Sequence, residues 1–284
     1  MLLRSIPHDM ASQKVAQIDT LLDGAAKKHD VFIPWAIESG SRAWGFPSPD
    51  SDYDCRFIYV RSVERHLTPW SVRDVIELPI RDDLDVNGWD LAKALGLLLK
   101  GNAVVVEWLM SPIVYQGEAD FRDTFLELAA RVANRDAIAK HYLHLGQRQR
   151  RNYLVDRTTV PQKKLFYALR PAAALRWLWN HPAEKVAPMN FQVLLSECDP
   201  PRSFLSEVTD LLEQKKESRE LGEAPISPTI QRFIDTEFQR WLDLDLYAQK
   251  SPDDGARATV AAFYRDTVLR LSSAAASQLS HSPN

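Results

Sequence analysis

Apolar and polar residues follow two different patterns along the chain, and the change between them falls near residue 90. Before it, short β-rich runs alternate with turns that contain glycine and proline. The runs at 31–37, 54–60, 72–80 and 84–88 have the length and composition of strands, and residues 11–29 carry apolar residues at helical spacing. The turn at 39–52 leaves room for one helical turn. This part of the chain therefore predicts one helix followed by four strands.

Beyond residue 90 the pattern is helical almost throughout. Asp90 is a suitable N-cap for a helix at 91–100, and Gly101 is a suitable C-terminal stop. Further helices are predicted at 104–110, 121–132, 137–153, 162–179, 191–197, 203–216, 229–246 and 256–271. Because proline cannot continue a helix freely, we expect a kink or break at Pro171, with Arg170 near a helix end.

Strands followed by helices predict an α+β fold. We expect an α+β domain with flanking helices in residues 1–116 and an all-helical domain in residues 117–271. Residues 272–284, rich in serine and alanine, are expected to form a disordered tail.

Composition narrows the class of protein further. The 284 residues include 38 acidic and 35 basic side chains, a balance that disfavours a protein whose main role is to coat nucleic acid or an anionic membrane. No apolar run approaches the roughly 20 residues of a membrane span, and the first residues lack the apolar segment of a signal peptide. We therefore expect a cytoplasmic protein. Two cysteines exclude a disulfide framework.

The candidate chemistry lies between the first two predicted strands. Gly40 and Ser41 follow the first strand, and Asp52 and Asp54 begin the next one. Side chains alternate along a strand, so both carboxylates project from one face. Two carboxylates without an obvious basic partner repel each other, and Mg²⁺ relieves the repulsion by binding them together with phosphate oxygens. The turn complements this site, because backbone N–H groups and a serine hydroxyl can hold phosphate.

A two-metal site needs a third carboxylate. The candidates near the fourth strand are Asp82, Asp83, Asp85 and Asp90. Asp85 lies inside that strand and shares a face with Asn87, whereas helix capping explains Asp90 without any metal. We therefore predict Asp85 as the third carboxylate and keep Asp90 as the alternative.

These segments closely resemble a known family. Residues 38–46, ESGSRAWGF, and 48–60, SPDSDYDCRFIYV, resemble the DNA polymerase β superfamily of nucleotidyltransferases. Within it they resemble the bacterial and phage nucleotidyltransferases called YcgL-like or RNA-ligase-associated. The resemblance is dense over 38–112 and thinner at 169–171 and 215–216. Ala103 departs from it, since proline is expected after Asn102, but this position affects a turn only.

The resemblance implies that residues 1–116 form a nucleotidyltransferase catalytic domain with a mixed sheet. It also implies transfer of a nucleoside monophosphate from an NTP, ATP by default, with release of pyrophosphate. It implies that Gly40, Ser41 and Arg42 bind the nucleotide, with Gly40 and Ser41 gripping the triphosphate. Two magnesium ions, with Mn²⁺ as a substitute, would be held by Asp52, Asp54 and Asp85, and Asp85 would activate the acceptor hydroxyl.

Two groups of cations lie on predicted helices. The first group shares a helix face and comprises Lys140, His144, Arg148 and Arg151, and the second comprises Lys163, Lys164, Tyr167 and Arg170. Solvated helix faces would explain both groups. A helical domain that faces a catalytic sheet commonly supplies cations to a polyphosphate. We therefore predict that Lys164 and Arg170 bind the nucleotide.

The acceptor stays open at this point, since an RNA end, a protein hydroxyl and a small molecule all fit the motif. The alternative function is a nucleotide-binding sensor or interaction module with the same fold and little turnover. The presence of all three carboxylates favours the enzyme, because a pure binder would tolerate the loss of one. No membrane partner is expected.

Overall fold

Six strands form a mixed sheet in the first part of the chain. The computed structural model describes residues 1–155, 157–218, 222–244 and 254–279, with side chains as far as residue 272. In chain order the strands are β1 (Leu2–Ser5), β2 (Val31–Glu38), β3 (Tyr53–Arg61), β4 (Val75–Glu77), β5 (Leu84–Asp90) and β6 (Val114–Glu118). They lie in the order β1-β6-β2-β3-β5-β4. A second, two-stranded sheet pairs β7 (Val160–Pro161) with β8 (Glu223–Ala224).

Helices flank the sheet and make up most of the remaining described chain. They are α1 (Ser12–His29), α2 (Gly40–Ala43), α3 (Val63–His66), α4 (Leu91–Leu99), α5 (Ala103–Leu109), α6 (Ala119–Val132), α7 (Arg135–Tyr153), α8 (Gln162–Asn180), α9 (Phe191–Glu197), α10 (Arg202–Glu217), α11 (Pro228–Leu242) and α12 (Asp254–Leu279). The predicted α+β fold is therefore confirmed. None of the described helices has both the length and the apolar character needed to cross a membrane.

One pair of strands in the six-stranded sheet is parallel. β3 and β5 run in the same direction, and their register places Asp54 directly beside Asp85. Every other neighbouring pair of described strands in this sheet is antiparallel. The connection from β3 through α3 and β4 to β5 thus brings two carboxylates together that are far apart in the chain.

Two apolar cores pack against opposite faces of the sheet. The larger core joins Ile58 of β3 to residues of the helical part such as Phe166 of α8. The smaller core joins Phe57 of the same strand to Ile18 of α1. Successive strand residues point to opposite faces. Asp54 therefore shares the face of Ile58, on the side where the helical part packs.

Two strands of the sheet are not predicted by the sequence pattern, and one prediction about a helix differs from the structure. The pattern does not predict β1 or β6, because β1 is a short exposed edge and β6 is short and contains Gly117. That glycine lies against the Trp35 ring, where a Cβ would stand 2.3 Å from a ring carbon. The sequence predicts a kink or a break at Pro171, and the break is wrong, since α8 continues through this residue and Arg170 lies near the middle of the helix. The kink stays a prediction. Burial of α8 among its neighbours outweighs the lost hydrogen bond.

The predicted domain division falls inside β6, and the larger core contains residues from both sides of it. The division at 116 and 117 stays a prediction. The predicted tail 272–284 overlaps the end of α12, whose backbone continues to Leu279, and residues 280–284 lie outside the described chain.

Asp90 begins α4 as predicted, with its Oδ1 accepting a hydrogen bond from the Ala92 N–H at 2.9 Å. Its Oδ2 pairs with Arg61, and the Asp90 side chain is buried. Capping alone would make Asp90→Asn silent, because asparagine caps equally well. Because the substitution also removes the buried ion pair with Arg61, we expect it to destabilise the protein.

We expect Asp90→Asn to lower the free energy of unfolding by about 1–3 kcal/mol, because Arg61 then loses its charged partner. Urea denaturation measures the change. Asp30→Asn is the control, since Asp30 forms only a long, exposed pair of 3.9 Å with Arg65, and its effect is expected below about 0.5 kcal/mol. Equal stability of wild type and Asp90→Asn would contradict a structural role for the pair.

Candidate active site

A tight turn joins β2 to the short helix α2 at one end of the sheet. Gly40 has φ 60°, a left-handed conformation that favours glycine. A Cβ on Gly40 would stand 2.1 Å from Oδ2 of Asp54. The Ser39 N–H donates a hydrogen bond of 2.8 Å to the carbonyl oxygen of Asp54. The turn therefore approaches the Asp54 carboxyl more closely than any side chain would allow.

The residues after Gly40 hold the loop that carries Asp52. The Ser41 hydroxyl lies 3.0 Å from the Ser51 hydroxyl. Arg42 donates to the carbonyl oxygens of Ser51 at 2.7 Å and Asp52 at 3.2 Å, and its guanidinium stacks 4.0 Å from the Tyr53 ring centroid. Ser41 and Arg42 thus position Asp52, whose side chain is exposed.

Arg56 lies between the two carboxylates that the parallel strands bring together. Its Nη2 is 2.9 Å from Oδ1 of Asp54 and 2.7 Å from Oδ2 of Asp85. Asn87 also donates to Asp85, at 3.3 Å. The absence of a basic partner, which the sequence suggested, is therefore wrong. Strand alternation was the available signal, because Arg56 stands two residues after Asp54 on the same face.

The electrostatics of Asp54 are set by burial and by this cation. Burial raises the pKa of Asp54, and the nearby charges of Asp85 and Asp52 raise it further. Arg56 opposes them by favouring the ionised carboxylate. Any additional positive charge nearby therefore stabilises the ionised Asp54 carboxylate.

Glu38 is a buried acid behind the turn, and it ties β2 to the start of β3. Its Oε1 accepts a hydrogen bond of 2.8 Å from the Asp54 N–H, and its Oε2 accepts one from the Tyr115 hydroxyl. The Ser111 hydroxyl donates to the Glu38 carbonyl oxygen at 2.7 Å. Burial raises the pKa of Glu38 to about 7, although the hydrogen bonds from Tyr115 and from the Asp54 N–H oppose the shift. Glu38 therefore positions the Asp54 backbone, a role that sequence reasoning missed.

A cleft of about 180 Å³ opens between the turn and the helical part. Its lining combines acidic, basic and hydroxyl side chains, and comprises Ser41, Phe46, Ser48, Asp50, Ser51, Asp52, Asp54, Lys163, Lys164, Tyr167 and Lys215. The sheet side contributes the carboxylates of Asp52 and Asp54, whereas α8 and α10 contribute three lysines. An anion with a bound cation suits such a lining, because the lysines can pair with the anion and the carboxylates can pair with the cation.

Two of the lysines differ in their surroundings. Lys164 lies over the rings of Tyr153 and Tyr167, 5.4 and 5.1 Å from their centroids. Lys215 is buried and donates a hydrogen bond of 2.6 Å to the Phe46 carbonyl oxygen. Burial, with a smaller contribution from Lys163, lowers the pKa of Lys215 to about 8. This burial is not predicted, because burial of one lysine on α10 leaves no periodic signal in the sequence.

Arg170 is not among the described residues that line this cleft. It is buried in α8, with its Nη2 2.9 Å from a carboxylate oxygen of Glu107. Its guanidinium stands 4.7 Å from the ring centroid of Trp44, which lies just after the turn, and Trp44 also packs against Tyr167. Arg170 therefore supports the turn from behind, and its predicted contact with a nucleotide finds no support in this placement.

The carboxylates of Asp52, Asp54 and Asp85 are the candidate ligands for magnesium. In the described parts of the chain, no three Asp, Glu, His or Cys side chains are arranged to hold a metal ion. Asp54 and Asp85 nevertheless share one cation, the Arg56 guanidinium, in the position where a metal would neutralise both. Their oxygen donors suit Mg²⁺ or Mn²⁺. The donor set therefore fits, with Asp52 on the adjoining cleft wall.

A glycine turn after one strand, with carboxylates on the next strand, is the arrangement of the polymerase β type of nucleotidyltransferase. The chain belongs to the RNA repair pathway DNA polymerase beta family, whose profile matches residues 15–266. It is also 40% identical over 226 residues to the Bacillus subtilis (strain 168) protein YcgL, itself described as uncharacterized. That match covers 79% of this chain and 86% of YcgL. The resemblance inferred from the motifs is confirmed.

The close approach of Gly40 to the Asp54 carboxyl can be tested by substitution. We expect Gly40→Ala to cost about 1–3 kcal/mol of unfolding free energy, because alanine is strained at this φ and its Cβ displaces the Asp54 carboxyl. Gly24→Ala is the matched control, since a Cβ at Gly24 in α1 meets nothing within 4 Å, and it should stabilise the helix slightly. Thermal or urea unfolding measures both, and equal effects would refute the close approach.

The buried Glu38 predicts a pH dependence of stability. The folded protein binds the Glu38 proton more tightly than the unfolded chain, because the pKa rises from 4.5 to about 7 on folding. Stability from this group is complete below pH 4.5 and is lost as the pH rises to about 7, with a total of about 3 kcal/mol. Glu38→Gln cannot ionise and retains an acceptor for the Asp54 N–H.

We therefore expect the stability of Glu38→Gln relative to wild type to increase between pH 5 and pH 8. Urea denaturation in buffer containing a chelator measures this difference without bound metal. A difference that does not change with pH would show that Glu38 has an ordinary pKa in the folded protein.

Proposed function

We propose that the protein is a metal-dependent nucleotidyltransferase that transfers a nucleoside monophosphate from an NTP to a hydroxyl acceptor. ATP is the default donor, and pyrophosphate is the leaving group. The observation that carries the proposal is the pairing of Asp54 with Asp85 beside the Gly40 turn and the lysine-lined cleft. Family membership supports an enzyme of the nucleotidyltransferase type.

The triphosphate is proposed to lie in the cleft between the turn and α8. Backbone near Gly40 can approach phosphate oxygens closely, and the Ser41 hydroxyl lines the same space. Lys163 and Lys164 face it from the helical side. Because charge accumulates on the phosphoryl oxygens during transfer, cations held in place here stabilise the transition state.

The acceptor oxygen attacks the α-phosphorus, and the bond from that phosphorus to the bridging oxygen of the pyrophosphate breaks. The proton of the acceptor hydroxyl passes to a carboxylate, and Asp85 is the proposed base. The carboxylate oxygens of Asp54, Asp85 and Asp52 would together hold two ions of Mg²⁺ or Mn²⁺. When bound, these ions supply positive charge to the phosphoryl oxygens and lower the pKa of the attacking hydroxyl.

The acceptor is proposed as an RNA end in preference to a protein or small-molecule hydroxyl. The family description refers to an RNA repair pathway, and this supports RNA among the three. Repair of a broken strand requires chemistry at its end, where a free hydroxyl is the nucleophile. An assay with labelled NTP and a pool of RNA, protein and small alcohols tests this choice directly.

A nucleotide-binding sensor with little turnover is the second candidate. One observation favours it: Arg56 already satisfies both Asp54 and Asp85 without a metal. The two candidates differ in whether pyrophosphate is released. A sensor binds ATP without releasing pyrophosphate, whereas the enzyme releases it in the presence of Mg²⁺ or Mn²⁺ and an acceptor.

We expect Asp54→Asn and Asp85→Asn each to reduce metal-dependent pyrophosphate release by about 100-fold or more, because each removes a charge that must face the reacting phosphate. Asp83→Asn is the control, since Asp83 precedes β5 and pairs with Lys14, away from Arg56. Its activity should stay within about twofold of wild type. Full activity in Asp54→Asn would end the two-metal proposal.

A further inference from the structure

The guanidinium of Arg56 bridges the two carboxylates of the proposed metal site. Its Nη2 contacts Oδ1 of Asp54 and Oδ2 of Asp85, and its Nη1 donates to the carbonyl oxygens of Cys55 at 3.0 Å and Asp85 at 2.8 Å. Only 15% of the Arg56 side chain is exposed. Both Nη atoms are therefore engaged where β3 and β5 run side by side.

The positive charge of Arg56 is permanent. A guanidinium stays protonated in proteins, so a change of pH does not remove this charge from the site. A dication bound to the same carboxylate oxygens would lie close to the guanidinium, where like charges repel each other. Arg56 and a metal ion therefore compete for the same oxygens of Asp54 and Asp85.

A nucleoside triphosphate changes the balance of charge at this site. Asp54 lines the cleft in which the triphosphate is proposed to lie, and its Oδ1 is 2.9 Å from Nη2 of Arg56. Phosphate oxygens bind an arginine fork as carboxylates do, and they also bind Mg²⁺ or Mn²⁺. Phosphate in the cleft can thus stabilise the guanidinium and a metal ion together, whereas the two carboxylates cannot serve both.

We propose that Arg56 is a built-in competitor of the metal, which keeps the metal affinity of the site low until a nucleoside triphosphate is bound. Without nucleotide, Arg56 occupies Asp54 and Asp85. With nucleotide, the guanidinium pairs with phosphate oxygens, and the carboxylates become free for the metal. Metal and nucleotide therefore raise each other's affinity by the same factor. This inference rests on the proposed function and adds the regulation of its metal site.

The test measures Mn²⁺ binding to the full-length protein from the electron paramagnetic resonance signal of free Mn²⁺. Titrations are made without nucleotide and with a non-hydrolysable ATP analogue, and Mn²⁺ bound by the analogue itself is measured without protein and subtracted. We expect the wild type to bind Mn²⁺ weakly alone and about tenfold or more tightly with the analogue.

Two substitutions of Arg56 vary the competing charge. Arg56→Gln should bind Mn²⁺ about tenfold or more tightly than the wild type in the absence of nucleotide, because the repelling charge is gone. The analogue should then raise the Mn²⁺ affinity of this variant much less than that of the wild type. Arg56→Lys keeps the charge but loses the planar fork that contacts both carboxylates. Its affinity should lie between the other two, and it decides the question if Arg56→Gln does not fold.

Arg61→Gln is the matched control. Arg61 lies on the same strand, its side chain is 12% exposed, and it pairs with Asp90 of β5. It lies five residues beyond Arg56, about 16 Å along the strand and farther than the screening length at physiological salt. The Mn²⁺ affinity of Arg61→Gln should therefore stay within about twofold of wild type.

Stability separates competition from a merely structural role of Arg56. In buffer with a chelator, Arg56→Gln should unfold at a lower urea concentration than the wild type, because Asp54 and Asp85 lose their cation. Mn²⁺ should restore this loss, since it supplies the missing charge and binds the folded state. Arg61→Gln should also be destabilised, but Mn²⁺ should not restore its stability.

Equal or weaker Mn²⁺ binding in Arg56→Gln relative to the wild type would overturn the competition. Tighter binding in Arg61→Gln alone would also overturn it and would place the metal at Asp90. Tighter Mn²⁺ binding in Arg56→Gln, together with no pyrophosphate release by the wild type, would refute the nucleotidyltransferase and leave the competition intact. Pyrophosphate release by the wild type, with a Mn²⁺ affinity that the Arg56 substitutions do not change, would do the reverse.

Discussion

The site depends on one electrostatic constraint: Asp54 and Asp85 stand side by side on parallel strands and need a cation between them. Burial and the neighbouring Asp85 charge both raise the pKa of Asp54 and so make its ionised form more costly. Arg56 meets this need from the same strand face. A metal ion would meet it as well, and so the arrangement that the fold must stabilise is also suited to phosphoryl chemistry. The structure and the proposed activity therefore both require a cation between Asp54 and Asp85.

The backbone around these carboxylates is held from behind by buried groups. Glu38 accepts a hydrogen bond from the Asp54 N–H, and Tyr115 donates to the other oxygen of Glu38. The end of β2 and the start of β3 are thereby joined at the point where the turn leaves the sheet. A rigid connection here keeps the Gly40 backbone close to the Asp54 carboxyl, whereas a flexible loop would let the two move apart.

The helical part serves the site in two distinct ways. Lys163 and Lys164 of α8 face the cleft, whereas Arg170 of the same helix is buried between Glu107 and Trp44. About two turns of α8 therefore separate the cations that line the cleft from the cation that supports the Gly40 turn. The larger apolar core runs through both parts of the chain, so the cations of α8 are fixed relative to the carboxylates of β3.

Local sequence patterns predict the α+β fold, the strands on either side of the turn, the family, and Asp54 and Asp85 as candidate carboxylates. These follow from alternation along strands, glycine where φ is positive, and a motif of contiguous residues. Tertiary packing adds that parallel strands place Asp54 beside Asp85, that α8 continues through Pro171, that Arg170 and Lys215 are buried, and that Glu38 holds the Asp54 N–H. Each of these depends on what packs against a residue from a distant part of the chain, and burial of a single charged side chain leaves no periodic trace in the sequence.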